Sequence, residues 1–248
     1  MTALLAQLRA ETTMTLRRGE SLLLVVGIPV LLLVFFSEVS VVAVPSASRV
    51  DFIAPGILAL SVMSTAMVSL SISTGFERGY GVLRRLQVTP LGTGRLLGAK
   101  VASIALVEIL QFVVIGLVAV LLGFAGHAGT SSVPVLIASV LGVVALATAG
   151  FAGIGLTLAG TLKAEVNLAA ANGLYLVFLL LGGMVIPLSK LPSGVATFAK
   201  LLPPAALSDA LHALLSFHHA VPGSDWIVLG CWAVLAPAVA MKVFRFDA

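Results

Sequence analysis

The sequence predicts an all-α membrane protein with six transmembrane helices. Of its 248 residues, 60% are hydrophobic and only 10% are charged, whereas soluble domains carry roughly 25% charged residues. Six long apolar segments follow one another, each close to the length of about 20 residues that a spanning helix needs. Helices are expected because exposed backbone groups are too costly in lipid, and the alternating pattern of a β-barrel is absent.

The six segments divide the chain into spans and connections within a single transmembrane domain, 1–248. The predicted spans are residues 22–44, 52–74, 101–125, 133–162, 166–188 and 226–243. Residues 1–20 place several leucines on one helical face, which is typical of a helix lying in the membrane interface. Residues 189–218 contain two apolar stretches that are each too short to span, which predicts an external re-entrant helical hairpin before the last span.

The distribution of positive charge predicts the orientation. With six spans, eleven of the 14 Lys and Arg residues fall on the side of the termini. Because Lys and Arg are retained on the cytoplasmic side, we expect a multi-pass protein of the inner (plasma) membrane with both termini in the cytoplasm.

The predicted cytoplasmic loop, residues 75–100, is the most informative segment. Apolar and basic residues mix over residues 82–86, which predicts a short amphipathic helix. Thr89-Pro90 is expected to end it, since the residue before a proline disfavours helix. The simpler alternative is that this basic segment only anchors the protein at the membrane surface.

The loop resembles that of the ABC-2 type membrane subunits of ATP-binding-cassette exporters. Members share a pattern close to Glu-Arg-x-x-Gly-x-Leu-x-x-Leu-x-x-Thr-Pro after the second span. The matching residues here are Glu77, Arg78, Gly81, Leu83, Leu86, Thr89 and Pro90, and the loop closes with Gly98 and Lys100. Members often carry a second acidic residue where this chain has Gly79. The interfacial helix, the six spans and the proline-flanked hairpin extend the resemblance over nearly the whole chain.

The resemblance implies a mechanism and a set of partners. The loop helix would dock in a groove on a separate ATPase subunit, present in two copies that bind ATP and Mg. A second six-span permease, identical or paralogous, would complete a dimeric complex. The residues implied in ATPase coupling are Glu77, Arg78, Gly81, Leu83, Arg84, Arg85, Leu86, Thr89 and Pro90. Within the family, the chain looks more similar to the drug- and antibiotic-efflux branch than to the polysaccharide branch. Its overwhelmingly apolar spans suit an amphiphilic or lipid-like cargo.

The chain is expected to carry no ATPase, cofactor or catalytic residue of its own, and so not to be an enzyme. A phosphate-binding loop needs Gly-x-x-x-x-Gly-Lys-Ser/Thr. The nearest stretch, residues 92–100, has the wrong spacing and no hydroxyl after its lysine. The energy for transport would therefore come from the partner subunit.

A few polar residues inside the predicted spans are candidates for the substrate pathway. A carboxylate within a span marks a functional site by default, and amides there either line a pathway or join neighbouring helices. The candidates are Glu108, Gln111, Asn167, Asn172 and Tyr175. Glycines at positions 150, 153, 155 and 160 predict close helix packing.

The sequence is also compatible with other sites and functions. The external histidines at positions 212, 218 and 219 match no standard zinc spacing, so no metal site is expected. An exporter of a lipid or a cell-envelope glycan is the closest alternative. An intramembrane enzyme would need a nucleophile and a base within the spans, where the sequence places no histidine. A membrane scaffold would leave the loop motif unused. Nothing indicates a nucleic-acid partner.

Overall fold

The computed structural model describes residues 2–17, 19–39, 48–87, 92–125, 133–184, 188–217 and 219–246. All regular structure in these ranges is helical, which confirms the all-α prediction. The α-helices are α1 (Thr2–Arg17), α2 (Gly19–Glu38), α3 (Arg49–Met63), α4 (Leu70–Gly79), α5 (Val82–Gln87), α6 (Thr93–Leu121), α7 (Val133–Thr161), α8 (Ala164–Leu181), α9 (Ser193–Ala199), α10 (Pro203–Leu215) and α11 (Gly223–Val243).

Five helical segments are long and apolar enough to cross a membrane. They are the continuous helix Arg49–Gly79 and the single helices α6, α7, α8 and α11. The apolar part of α2, Leu23–Glu38, is shorter; at 1.5 Å per residue it reaches about 24 Å, against about 30 Å of hydrocarbon. Residues 40–44 of the first predicted span lie outside the described residues, so a sixth span stays a prediction.

The helix Arg49–Gly79 forms the centre of the fold. Of its most apolar stretch 83% is buried, against 17–33% for the other four candidate spans. It consists of α3, a π-helical segment Ser64–Ser69 and α4. The π-helical segment packs on α6, α7 and α8, so the core of the protein surrounds this helix.

Two helices continue beyond the predicted loop boundaries. The central helix runs to Gly79 rather than residue 74, and α6 begins at Thr93 rather than residue 101. The predicted connection 75–100 therefore shrinks to residues 80–92. The helices can extend because Glu77, Arg78 and Lys100 find buried polar partners, so these charged residues do not have to lie in a solvated loop. We call this end of the bundle the basic end.

At the opposite end, the hairpin end, α8 stops earlier than predicted. It ends at Leu181 rather than residue 188, where Gly182 follows and Gly183 has a φ of +67°. That backbone conformation favours glycine and breaks the helix. A single 3₁₀ turn, Leu188–Lys190, then leads into α9 and α10, two short helices in the segment where the hairpin is predicted.

Glycines bring α7 into close contact with its neighbours, as the sequence predicts. A Cβ at Gly153 would lie 2.4 Å from the backbone of α11, and a Cβ at Gly155 would lie 2.6 Å from the Met67 carbonyl oxygen in the π-helical segment. Gly150 and Gly160 likewise face Trp232 and Phe244. A larger residue at these positions would force the helices apart.

Candidate functional site

The connection between α4 and α6 presents a mixed apolar and basic surface at the basic end. Gly81 has a φ of +71°, and this turn lets α5 fold back against the bundle. Leu83 is fully buried in the core, whereas Tyr80 is 75% exposed and Val82 is 40% exposed. Arg84 and Arg85 are exposed as well. The buried face of α5 fixes it to the bundle, and its outer face is open to a partner.

Both ends of this connection are held by one buried lysine. Lys100, the eighth residue of α6, is 2% exposed and forms ion pairs with Glu77 of α4 and with Glu11 of α1, the latter at 3.0 Å. Gln7 donates a hydrogen bond to Glu11 at 2.9 Å. A buried charge is costly unless it is paired, and here one cation serves two carboxylates. We call Glu11, Glu77 and Lys100 the lysine cluster; it ties α1, α4 and α6 together.

Arg78 ties the same region to α7. Its side chain is buried and its Nη2 donates a hydrogen bond of 2.8 Å to the carbonyl oxygen of Leu162, directly after the last residue of α7. A cation at a helix C-terminus stabilises the unpaired carbonyl groups and the negative end of the helix dipole. Movement of the connection at the basic end is therefore linked to α7 as well as to α6.

The motif residues thus separate into two groups. Glu77, Arg78 and Leu83 point into the bundle, and Leu86 is partly buried against the core. Arg84 and Arg85 lie at the surface, and Thr89 and Pro90 lie outside the described residues. The sequence placed Val82 in the predicted amphipathic helix without indicating that it is exposed, and it did not single out Tyr80 or Glu11. For Glu11 a signal existed, since it is the single acidic residue of α1.

The five candidates for the substrate pathway do not meet in one place. Gln111 is buried, accepts a hydrogen bond from Thr65 at 3.1 Å and donates one to the Val25 carbonyl oxygen at 2.9 Å. Asn167 exchanges hydrogen bonds with Ser71 of α4. These contacts join neighbouring helices, which is the packing alternative for Asn167, and Gln111 has the same role.

The remaining three candidates occupy different surroundings. Asn172 is exposed and donates a hydrogen bond to Leu168 one turn earlier in its own helix, while Tyr175 is partly buried against the core. Glu108 is 3% exposed. Its Oε2 accepts a 2.6 Å hydrogen bond from Thr148 of α7. Of the five, Glu108 lines the cavity between α6, α7 and α11.

His212 and His219, the two histidines of the hairpin end that the structure describes, belong to no candidate metal site. His212 is buried in α10, with Nδ1 2.7 Å from the Ser208 carbonyl oxygen and Nε2 2.9 Å from the Phe52 carbonyl oxygen. Burial lowers the pKa of this imidazole, and the two backbone hydrogen bonds oppose that shift. His219 is exposed, and residue 218 lies outside the described residues. Among the residues described, no group of three or more His, Cys, Asp or Glu side chains could hold a metal ion. His212 instead fixes α10 to α3.

These features define a class of protein: a multi-pass α-helical membrane protein with a braced surface helix at one end and a short helical hairpin at the other. A sequence model of the family described as ABC-2 type transporter matches residues 2–215. The match covers most of the chain, so the protein belongs to the ABC-2 type transporter family, as the loop motif predicts. It is a transmembrane subunit of an ABC transporter. No curated protein matches the chain in sequence.

Proposed function

We propose that the protein is the transmembrane subunit of an ATP-driven exporter of an amphiphilic or lipid-like compound, with efflux of a drug or antibiotic as the favoured case. Both termini face the cytoplasm of a cell whose inner membrane it spans. The observation that carries the proposal is the outer surface of α5 and of the turn before it, where Val82 and Tyr80 are exposed beside two arginines. A short helix with an apolar edge suits a groove on a partner, and its arginines set orientation by charge.

The lysine cluster gives this surface a mechanical role. Because Lys100 joins Glu77 and Glu11, and Arg78 joins Leu162, a displacement of α5 is passed to α1, α4, α6 and α7. A docked ATPase that closes on ATP would therefore move several helices together. Glu77 serves this process as a positioning residue within the permease, and the exposed arginines make the contact with the ATPase.

Membership of the family supports this set of partners. Two copies of a separate ATPase subunit supply ATP and Mg binding. A second six-span permease, identical or paralogous, completes the dimeric complex, since six spans are half of the usual complement in this family. The apolar lining of the cavity beside Glu108 favours an amphiphilic cargo over a strongly charged glycan.

Co-purification tests the docking surface. A tagged chain extracted from native membranes in mild detergent is expected to bring down a soluble subunit with a phosphate-binding loop. Arg85→Glu should reduce its recovery about tenfold or more, because a charge reversal at a docking surface opposes association. Lys242→Glu is the matched control: it removes a positive charge that we also assign to the cytoplasm, but from the end of α11, and should leave recovery unchanged.

Two outcomes would overturn the proposal. If the chain comes down alone with no nucleotide hydrolysis in the eluate, the intramembrane enzyme and scaffold assignments take its place. If Arg85→Glu and Lys242→Glu retain the ATPase equally, docking does not occur on α5. A reporter enzyme fused after Ala248 tests the orientation, and activity restricted to the periplasm would contradict cytoplasmic termini.

A further inference from the structure

An apolar cavity of about 660 Å³ opens between α6, α7 and α11. Its volume lies in the range of sites that bind small organic molecules, roughly 300–1,000 Å³. Among the side chains that line it, two are polar, Glu108 and Thr148. Residues at its mouth, among them Val113, Leu141 and Met241, are each more than half exposed. In a membrane-spanning bundle these exposed apolar residues face lipid, so the cavity can be entered from the bilayer.

Glu108 places an incompletely satisfied carboxylate in the wall of this cavity. It is the sixteenth of 29 residues of α6, about 22 Å from the start of the helix and hence near its middle. Oε2 accepts the hydrogen bond from Thr148, whereas Oε1 is buried and has no hydrogen-bond partner among the residues described. An isolated carboxylate in apolar surroundings is strongly destabilising unless a cation or proton neutralises it.

We propose that the cavity binds a cationic amphiphile, whose ammonium group donates a hydrogen bond to the Glu108 carboxylate and whose apolar part fills the space between α6, α7 and α11. The ammonium satisfies the oxygen that the protein leaves unpaired, in a charge-assisted hydrogen bond. This inference rests on the proposed function, because it names the chemical class of the cargo. The cavity is then the entry site from the lipid.

Two other occupants fit the cavity less well. A metal ion such as Ca²⁺ takes six to eight oxygen ligands, and the cavity offers one carboxylate and one hydroxyl. A second copy of the chain packed on this face by a two-fold axis would present the same surface to itself. It would bring a second Glu108 towards the first rather than a cation.

Photolabelling of the full chain in phosphatidylcholine nanodiscs tests the proposal directly. The probes are a twelve-carbon primary amine with a diazirine in its chain and the matched uncharged alcohol, and labelled residues are located by mass spectrometry. The amine is expected to label cavity-lining residues of α6 and α7 in the wild type. In Glu108→Gln that labelling should fall about tenfold or more, the loss expected when a charge-assisted hydrogen bond is removed.

Matched controls separate recognition of charge from damage to the fold. The alcohol should label the cavity equally in the wild type and in Glu108→Gln, which shows that the variant keeps the cavity intact. Ala145→Phe fills the cavity at an exposed position of α7 and should reduce labelling by both probes. Equal labelling by the amine in the wild type and Glu108→Gln, or equal cavity labelling by amine and alcohol in the wild type, would overturn the proposal.

The labelling uses the chain without its ATPase, so its failure is distinguishable from failure of the proposed function. If the cavity shows no preference for the amine while Arg85→Glu still releases the ATPase, the cargo class is wrong and the transporter assignment stands. If the amine labels as expected but no ATPase is recovered with the chain, the cavity is a ligand site in a protein that is not driven by ATP through α5.

Discussion

Two buried ionisable side chains on α6 differ in how completely other residues satisfy them. Lys100 and Glu108 are eight residues apart, about 12 Å along the helix axis, and each is at most 3% exposed. Lys100 is paired with carboxylates from two other helices. Glu108 has a single hydroxyl on one oxygen and no partner on the other among the described residues.

The difference separates a structural site from a binding site. A buried charge that is fully paired fixes the helices that supply its partners, and removing one partner leaves an uncompensated charge. A buried ionisable group that the fold leaves partly unsatisfied reduces stability, and such positions are often retained for function. The lysine cluster is thus expected to hold the connection at the basic end in place, and Glu108 is expected to bind a ligand.

The largest expected effect is the loss of the lysine itself. Lys100→Met leaves the carboxylates of Glu11 and Glu77 without their cation, and breaking a buried ion pair costs about 3–5 kcal/mol. We expect a lower apparent melting temperature in detergent and easier proteolysis of α1. Lys163→Met is the control, since Lys163 is exposed at the same end of the bundle. Equal melting temperatures for the two variants would show that the lysine cluster does not stabilise the fold.

The second largest loss of stability is expected where α7 packs against α11 at the wall of the cavity. Gly153 lies where α7 meets α11, and a Cβ there would approach the Ala236 and Pro237 backbone to 2.4 Å. Gly153→Ala should therefore destabilise the protein by about 1–3 kcal/mol through overpacking. At Gly173, also within a helix, a Cβ would meet nothing within 4 Å, so Gly173→Ala should be neutral or slightly stabilising. Comparable thermal unfolding of the two variants would contradict the close packing of α7 and α11.

A smaller effect is expected at the hairpin end, where Asp209 lies in α10. Burial, and after it the charge of Asp225, raises the pKa of the Asp209 carboxyl to about 6, with Lys200 opposing the shift. The folded state therefore binds this proton more tightly than the unfolded chain does. The stability gained from it is complete below about pH 4 and is lost as the pH rises through 6.

Asp209→Asn mimics the protonated form and tests this sign. At pH 7.5 the variant should melt about 2–4 °C above the wild type, and the difference should become smaller as the pH falls towards 4. The measurement is the apparent melting temperature across pH 4.5–7.5. A variant that is less stable than the wild type at pH 7.5 would show that the ionised form of Asp209 is the stabilising one.

Much of the fold could be predicted from the sequence because hydrophobicity alone identifies membrane spans. Residues 133–162, predicted as a span, form a helix that ends at Thr161. The limits of the central helix and of α6 could not be predicted, because they depend on partners distant in sequence. Glu11 lies 89 positions before Lys100, and no local pattern reveals that pairing. The C-terminal end of α8 was predicted at residue 188, beyond its actual end at Leu181. No proline follows Leu181 directly, and hydrophobic residues continue past Gly182-Gly183.

The candidate site was predictable in outline and not in detail. The motif identified the connection at the basic end but could not separate Leu83, which points inward, from Tyr80, which points outward. Likewise, a carboxylate within a span singled out Glu108. That Gln111 and Asn167 are instead satisfied by neighbouring helices depends on how the helices rotate about their axes, and such rotation is set by packing.

The central claim is that the lysine cluster is structural whereas Glu108 binds a ligand. The most direct test replaces one carboxylate of each site, Glu77 and Glu108, by leucine. The apparent melting temperatures of Glu77→Leu and Glu108→Leu are compared with that of the wild type in nanodiscs without ligand. We expect Glu77→Leu to lower the melting temperature, since Lys100 loses a counter-charge, and Glu108→Leu to leave it unchanged or raise it, since a poorly satisfied carboxylate is replaced by an apolar side chain. A loss of stability in Glu108→Leu as large as that in Glu77→Leu would mean that both carboxylates are structural.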